Sequence, residues 1–184
     1  MKKKIIILAL CALAFASCTE KRETIQNIED QTQLVKSAQV IDSVYMITGV
    51  MNETEVRRFV DAALDFANSN PADEIAPELL AKAGGYCMRM ANVTSDKELR
   101  AKYSKQAISI FDKIIAVYPD NPIVKYCYWW KGIIYEDILQ MLPSAENEYR
   151  EFLHKFPDDT LAISIKYSLE HLGETTSEVL LENE

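Results

Sequence analysis

Two stretches of the chain decide its fold: Ala107-Ile108-Ser109-Ile110-Phe111-Asp112-Lys113-Ile114-Ile115-Ala116-Val117-Tyr118-Pro119 and Ala145-Glu146-Asn147-Glu148-Tyr149-Arg150-Glu151-Phe152-Leu153-His154-Lys155-Phe156-Pro157. In each, an alanine is followed four residues on by an aromatic ring and eight residues later by proline. The spacing reads as a helix that another helix approaches closely at the alanine. The ring fills the gap beside it, and proline, which has no N–H to donate, ends the segment. A third proline, Pro71, also follows a helix-like segment. Aligned on Pro71, Pro119 and Pro157, the chain shows Ile75, Ile123 and Leu161 four residues beyond, and Gly84, Gly132 and Glu170 thirteen beyond. Self-similarity of this kind points to repeated helical units rather than a generic bundle.

Working outward, helical periodicity accounts for most of the chain. Ile25, Ile28, Leu34, Val35, Ala38, Ile41, Val44 and Tyr45 give one amphipathic helix over Thr24–Ile47, stopped at Gly49. Asn52 and Glu55 have capping-box spacing ahead of the stripe Val56, Phe59, Val60, Ala63, Leu64 and Ala67, which stops at Asn68-Ser69-Asn70-Pro71. Further helices are expected over Asp73–Met90, from Ser95 (with Glu98) to just before Pro119, over Pro122–Met141, from Pro143-Ser144 to Phe156, and over Thr160–Leu172, closed by Gly173. Nothing alternates as a half-buried strand does, so the fold class is all-α.

The chain has 184 residues, 5 glycines and a formal charge of −8. Neither GxGxxG nor GxxxxGK[ST] occurs, so the phosphate-binding loops of nucleotide folds are missing. An acidic chain is a poor ligand for nucleic acid, whose phosphates require clustered Lys and Arg. The basic residues at the start, Lys2, Lys3 and Lys4, precede an apolar run from Ile5 to Ala16, the pattern of an export signal too short to span a bilayer comfortably. Phe15-Ala16-Ser17-Cys18 resembles a bacterial lipobox, with Phe15 where leucine is usual. The resemblance implies lipid on Cys18, and the absence of Asp after it, at Thr19, implies delivery to the outer membrane. Residues 1–17 then form the signal peptide, 18–23 a tether, 24–173 the helical domain and 174–184 an acidic tail. Removing 1–17 takes away three lysines and no acid, leaving 167 residues at −11. Cys87 and Cys127 sit in apolar helical patterns and are expected to be buried and free, although an oxidising compartment permits a disulfide between them.

Ala107-x3-Phe111-x7-Pro119 and Ala145-x3-Tyr149-x7-Pro157 resemble the second helix of a tetratricopeptide repeat, and Tyr128-x3-Gly132-x2-Tyr135 resembles the first. Tyr118-Pro119-Asp120-Asn121-Pro122 running into Tyr128-Trp129-Trp130-Lys131-Gly132 is similar to the variant repeats of outer-membrane lipoproteins in β-barrel assembly and of Tol–Pal accessory proteins. The resemblance covers about residues 54–173. It implies an α-α superhelix of about three hairpins with a C-terminal capping helix. It also departs from the family pattern: Lys131 replaces a usual leucine, 92–102 lengthens a unit beyond the usual ~34 residues, and Glu170 replaces a third glycine.

The family's concave peptide-binding face comes from the first helix of each hairpin. Carried over by Gly132 and Gly84, it maps to Tyr126, Trp129, Ile133, Glu136 and Asp137 with Met88 and Arg89, beside Glu78, Ala81 and Gly85. Tyr126, Trp129 and Ile133 share one stripe, and Cys127, Trp130 and Ile134 the adjacent one, so one stripe is expected to stay partly exposed. A competing reading packs these aromatics against 160–172. Chemistry finds little material. His154 and His171 stand near helix C-termini, where a cation is favourable; Glu136-Asp137 and Asp158-Asp159 lack an evident pocket to separate their acidities; and no nucleophile elbow or metal motif occurs. No enzyme, metal or cofactor is expected. The resulting expectation is an envelope lipoprotein, lipid-anchored on the periplasmic face of the outer membrane and acting as a scaffold for a protein or peptide partner. A small-ligand (glycan or peptide) binding lipoprotein is the alternative.

Overall fold

Three helices of this chain end in the same way, and the ends organise the fold. The structure, a computed structural model, describes residues 26–174. Its helices are α1 (26–48), α2 (Glu53–Ser69), α3 (Ala76–Val93), α4 (Lys97–Val117), α5 (Val124–Ile133), α6 (Leu142–Lys155) and α7 (Leu161–Glu170), with a π-helical turn at Ile134–Ile138 continuing α5. The fold is all-α, with no strand among the described residues. The expected signal peptide, the segment that resembles a lipobox, the expected tether and most of the expected acidic tail lie outside them.

At the ends of α2, α4 and α6 the capping residues Asn70, Tyr118 and Phe156 share one conformation, φ near −130° and ψ 53–59°, and each donates its N–H to the carbonyl four residues earlier. Proline follows each of them. Two residues past each proline stands Asp73, Asn121 or Asp159, whose side-chain oxygen accepts the N–H of Ile75, Ile123 or Leu161 at 3.1, 3.0 and 2.9 Å. The carbonyls of the same three residues accept the N–H of Ala76, Val124 and Ala162. Each junction is therefore an Asx turn launching the next helix, with the aliphatic residue turned into the core. Asp73 also accepts from Asn27 and Gln31 of α1, and Asp159 pairs with Lys125 of α5 at 2.6 Å, so these two carboxylates tie each junction to the start of a helix earlier in the chain.

The junctions explain where helix starts differ from expectation. α3 begins at Ala76 rather than Asp73, and α5 at Val124 rather than Pro122, because the Asx residue turns the chain before the helix starts. Asp96, not Ser95, caps α4: its carboxylate accepts from Glu98 and Leu99. Asn52 caps α2 as expected, but the Glu55 carboxylate binds Arg58 at 2.9 Å. The helix expected over Pro122–Met141 is regular only to Ile133. It then widens into the π turn and closes at Gln140, which has φ +54°, a left-handed conformation uncommon outside glycine.

The helices pack largely on their neighbours in sequence, α2 on α3, α3 on α4, α4 on α5, α5 on α6 and α6 on α7. The repeated glycines sit where helices touch. A Cβ on Gly84 would lie 2.5 Å from a ring carbon of Phe111, and one on Gly132 would overlap the ring of Tyr149. Gly84 of α3 and Gly132 of α5 thus each receive the aromatic ring of the helix that follows, while Ala107 and Ala145 are fully buried one turn before those rings. α1 joins this core through Leu34, Ala38 and Ile41, and Tyr86 of α3 places its hydroxyl 2.9 Å from the Asp42 carboxylate. Every described core residue lies between Leu34 and Ile165, so a chain beginning at Thr19 keeps the whole of it.

Candidate functional site

Helix α5 carries Tyr126-Cys127-Tyr128-Trp129-Trp130, and the Gly132–Tyr149 contact sets which way it turns. Cys127 and Ile134 are fully buried. Trp130, between them on the same stripe, is half-buried, with Phe111 at 5.2 Å and the Tyr126 ring stacked on it at 5.7 Å. The adjacent stripe of Tyr126, Trp129 and Ile133 is half-exposed along its length. Trp129 rests one side on the core and offers the rest to solvent. Packing against α4 and α6 leaves this stripe as the accessible edge.

The other predicted residues occupy distinct settings. Met88 is half-buried against the core. Arg89 lays its guanidinium 4.4 Å from the centre of the Tyr45 ring, so its charge is held by α1 through a cation–π contact. Glu136 and Asp137 fall in the π turn, where helical spacing no longer holds. The Glu136 carboxylate accepts the Tyr149 hydroxyl at 2.7 Å and is thereby committed to α6, while Asp137 is exposed. Burial, then that carboxylate, pushes the Tyr149 hydroxyl well above the ordinary tyrosine range.

Lys131, the departure from the repeat pattern, is buried, with its ammonium 2.6 Å from Asp112 and 2.9 Å from Glu148. Desolvation opposes its charge, but the two carboxylates overcome this and raise its pKa. Glu148 is raised too, by burial. One ammonium shared by two carboxylates across α4, α5 and α6 is a clasp, and its single cation leaves one carboxylate charge in excess. Cys87 and Cys127 are buried and free, and desolvation pushes both thiols up to about 12. Such thiols are poor nucleophiles at neutral pH.

Two features escaped sequence reasoning. The Asx residues at the three junctions share one offset from proline, and that recurrence was readable. The second is a groove of about 410 Å³ between α1 and α2, lined by Leu34, Phe59 and Phe66 below and by Asp30, Glu55, Arg58 and Asp65 at its rim. Ile28 and Val44, expected on the buried stripe of α1, are 56% and 43% exposed. The apolar content of α1 exceeds what one buried face can take, and only packing shows which residues remain outside. Comparison of the chain with protein-family models, with curated proteins and with solved structures finds no match.

Proposed function

We propose that this chain is a bacterial envelope lipoprotein, anchored through Cys18 at the periplasmic face of the outer membrane, whose helices form a tetratricopeptide-like scaffold for a protein or peptide partner. The observation that carries the reading is the recurrence of one junction at the starts of α3, α5 and α7, coupled to a glycine–aromatic contact in each of the pairs α3/α4 and α5/α6. Units joined through the same turn and closed by the same contact stack with a constant offset and leave one face continuous. In this reading the face includes Tyr126, Trp129 and Ile133, which are half-exposed, and rigid aromatic side chains anchor peptide interfaces at low entropic cost. The lipid supplies location and the helices supply contacts.

The anchor and the face are tested separately. Cys18→Ala should release the protein from membranes and abolish labelling by palmitate; labelling that persists refutes the anchor. Trp129→Ala should weaken capture of a partner crosslinked in the envelope while leaving helicity and thermal stability nearly unchanged. A large loss of stability would instead assign Trp129 to the core.

A further inference from the structure

The groove between α1 and α2 is the outer side of the first helix pair. The inner side is occupied: Asp42 bonds Lys82 and Tyr86 of α3, and Tyr45 holds Arg89. Around α1 from these residues run Asp30, Gln33, Ser37, Val40, Val44 and Ile47, at alternating three- and four-residue steps. On α2 the facing row is Glu55, Arg58, Ala62, Asp65 and Ser69, at the same steps. The groove lies between the first three positions of the α1 row and the whole of the α2 row. Beyond it the α1 row turns aliphatic, with Val40, Val44 and Ile47 at 59%, 43% and 85% exposed. Two ridges of this period, about 20–25 Å long, are long enough to receive one more helix, whose apolar stripe would meet Val40, Val44 and Ile47 on α1, the α2 row being polar apart from Ala62. Small Ser37 and Ala62 allow close approach.

The chemistry of the rim names the occupant. Arg58 is bound by Glu55 at 2.9 Å, which leaves Asp30 and Asp65 as the acidic excess of a lining that stops on α1 at Ser37, short of the aliphatic part of the α1 row. The same two rows on a second copy would bring only Arg58, already paired with Glu55, to meet Asp30 and Asp65. From this geometry we infer a second docking surface, on α1 and α2, for an amphipathic helix of another protein that carries Lys or Arg at one end and an aliphatic stripe at the other. The surface is separate from the Trp129 face and stands whether or not that face binds a partner.

The test uses the isotope-labelled chain from Thr19 and a synthetic helical peptide of about 20 residues, long enough to span both ridges. The peptide carries leucines at three- and four-residue steps and lysines over one half. Amide shifts should map to α1 and α2, and binding should weaken by about tenfold or more for Val44→Asp and for Asp30→Lys/Asp65→Lys, all exposed sites, yet be unchanged for Trp129→Ala. Equal binding of a same-composition peptide with its stripe scrambled, or of a Glu-for-Lys version, overturns the proposal. So does the absence of binding, or a shift map elsewhere. Sedimentation showing a dimer that Val44→Asp dissociates would assign the surface to a second copy instead.

Discussion

Adjacent glycines of α3 should respond to alanine with opposite signs. At Gly84 the new methyl would sit 2.5, 2.8 and 3.0 Å from three carbons of the Phe111 ring, where ordinary carbon contacts are ~3.5–4.0 Å, so the helices or the ring must give by about 1 Å. The ring has little freedom, being fully buried with Trp130 against it. Overpacking of this kind costs about 1–3 kcal/mol, while removing a mid-helix glycine returns ~1 kcal/mol. Gly84→Ala should therefore be destabilising by up to about 2 kcal/mol. At Gly85 a Cβ meets nothing within 4 Å, so only the propensity gain remains and Gly85→Ala should stabilise by up to ~1 kcal/mol. Urea denaturation of the chain from Thr19, followed by far-ultraviolet circular dichroism, measures both. Shrinking the ring should recover part of the loss, so that Gly84→Ala/Phe111→Leu is less destabilised than the sum of its single changes. The close-approach reasoning is refuted if Gly84→Ala is as stable as Gly85→Ala, or if the double variant is simply additive.

Three further outcomes follow from the clasp, the junctions and the thiols. Lys131→Leu should cost about 3 kcal/mol by leaving Glu148 buried without its cation, whereas Lys131→Leu/Glu148→Leu should restore most of it, since a buried pair is replaced by apolar packing; urea midpoints of the two variants decide this. Asp159→Asn should keep the Asx turn, as Asn121 does naturally, but lose the pairing that holds the Asp159 carboxyl below its ordinary value, Lys125 first and the Leu161 N–H second. A lowered folded pKa contributes stability that is fully present above the unfolded value of ~3.9 and is lost as pH falls from there through the folded value. Denaturation at neutral pH and near pH 3 should therefore show a shallower acid loss for Asp159→Asn than for the parent. Cys87 and Cys127 should resist a thiol reagent in the native protein and react fully in denaturant, and prompt native labelling would contradict their burial.

The sequence by itself determined what depends on local chemistry. Helical periodicity, three prolines at helix ends, and alanine and glycine at fixed distances from aromatic residues are covalent spacings, and the all-α class with the positions of its stops follows from them. Even the Asx turns were written at a constant offset from proline, since their hydrogen bonds span only two or three residues. Tertiary structure decided the rest, because it depends on which surfaces meet. The π turn after Ile133 breaks the helical register, which is why Glu136, read from spacing alone as part of an open face, instead holds the Tyr149 hydroxyl. Lys131 departs from the repeat pattern along the sequence, and its role arises only where Asp112 and Glu148, 19 residues before it and 17 after, converge on its ammonium. In α1 too many apolar residues compete for one buried face. Only the docking of α2 and α3 selects Leu34, Ala38 and Ile41 for the core and leaves Val40, Val44 and Ile47 outside, because burial is a property of the packed neighbour and not of the residue.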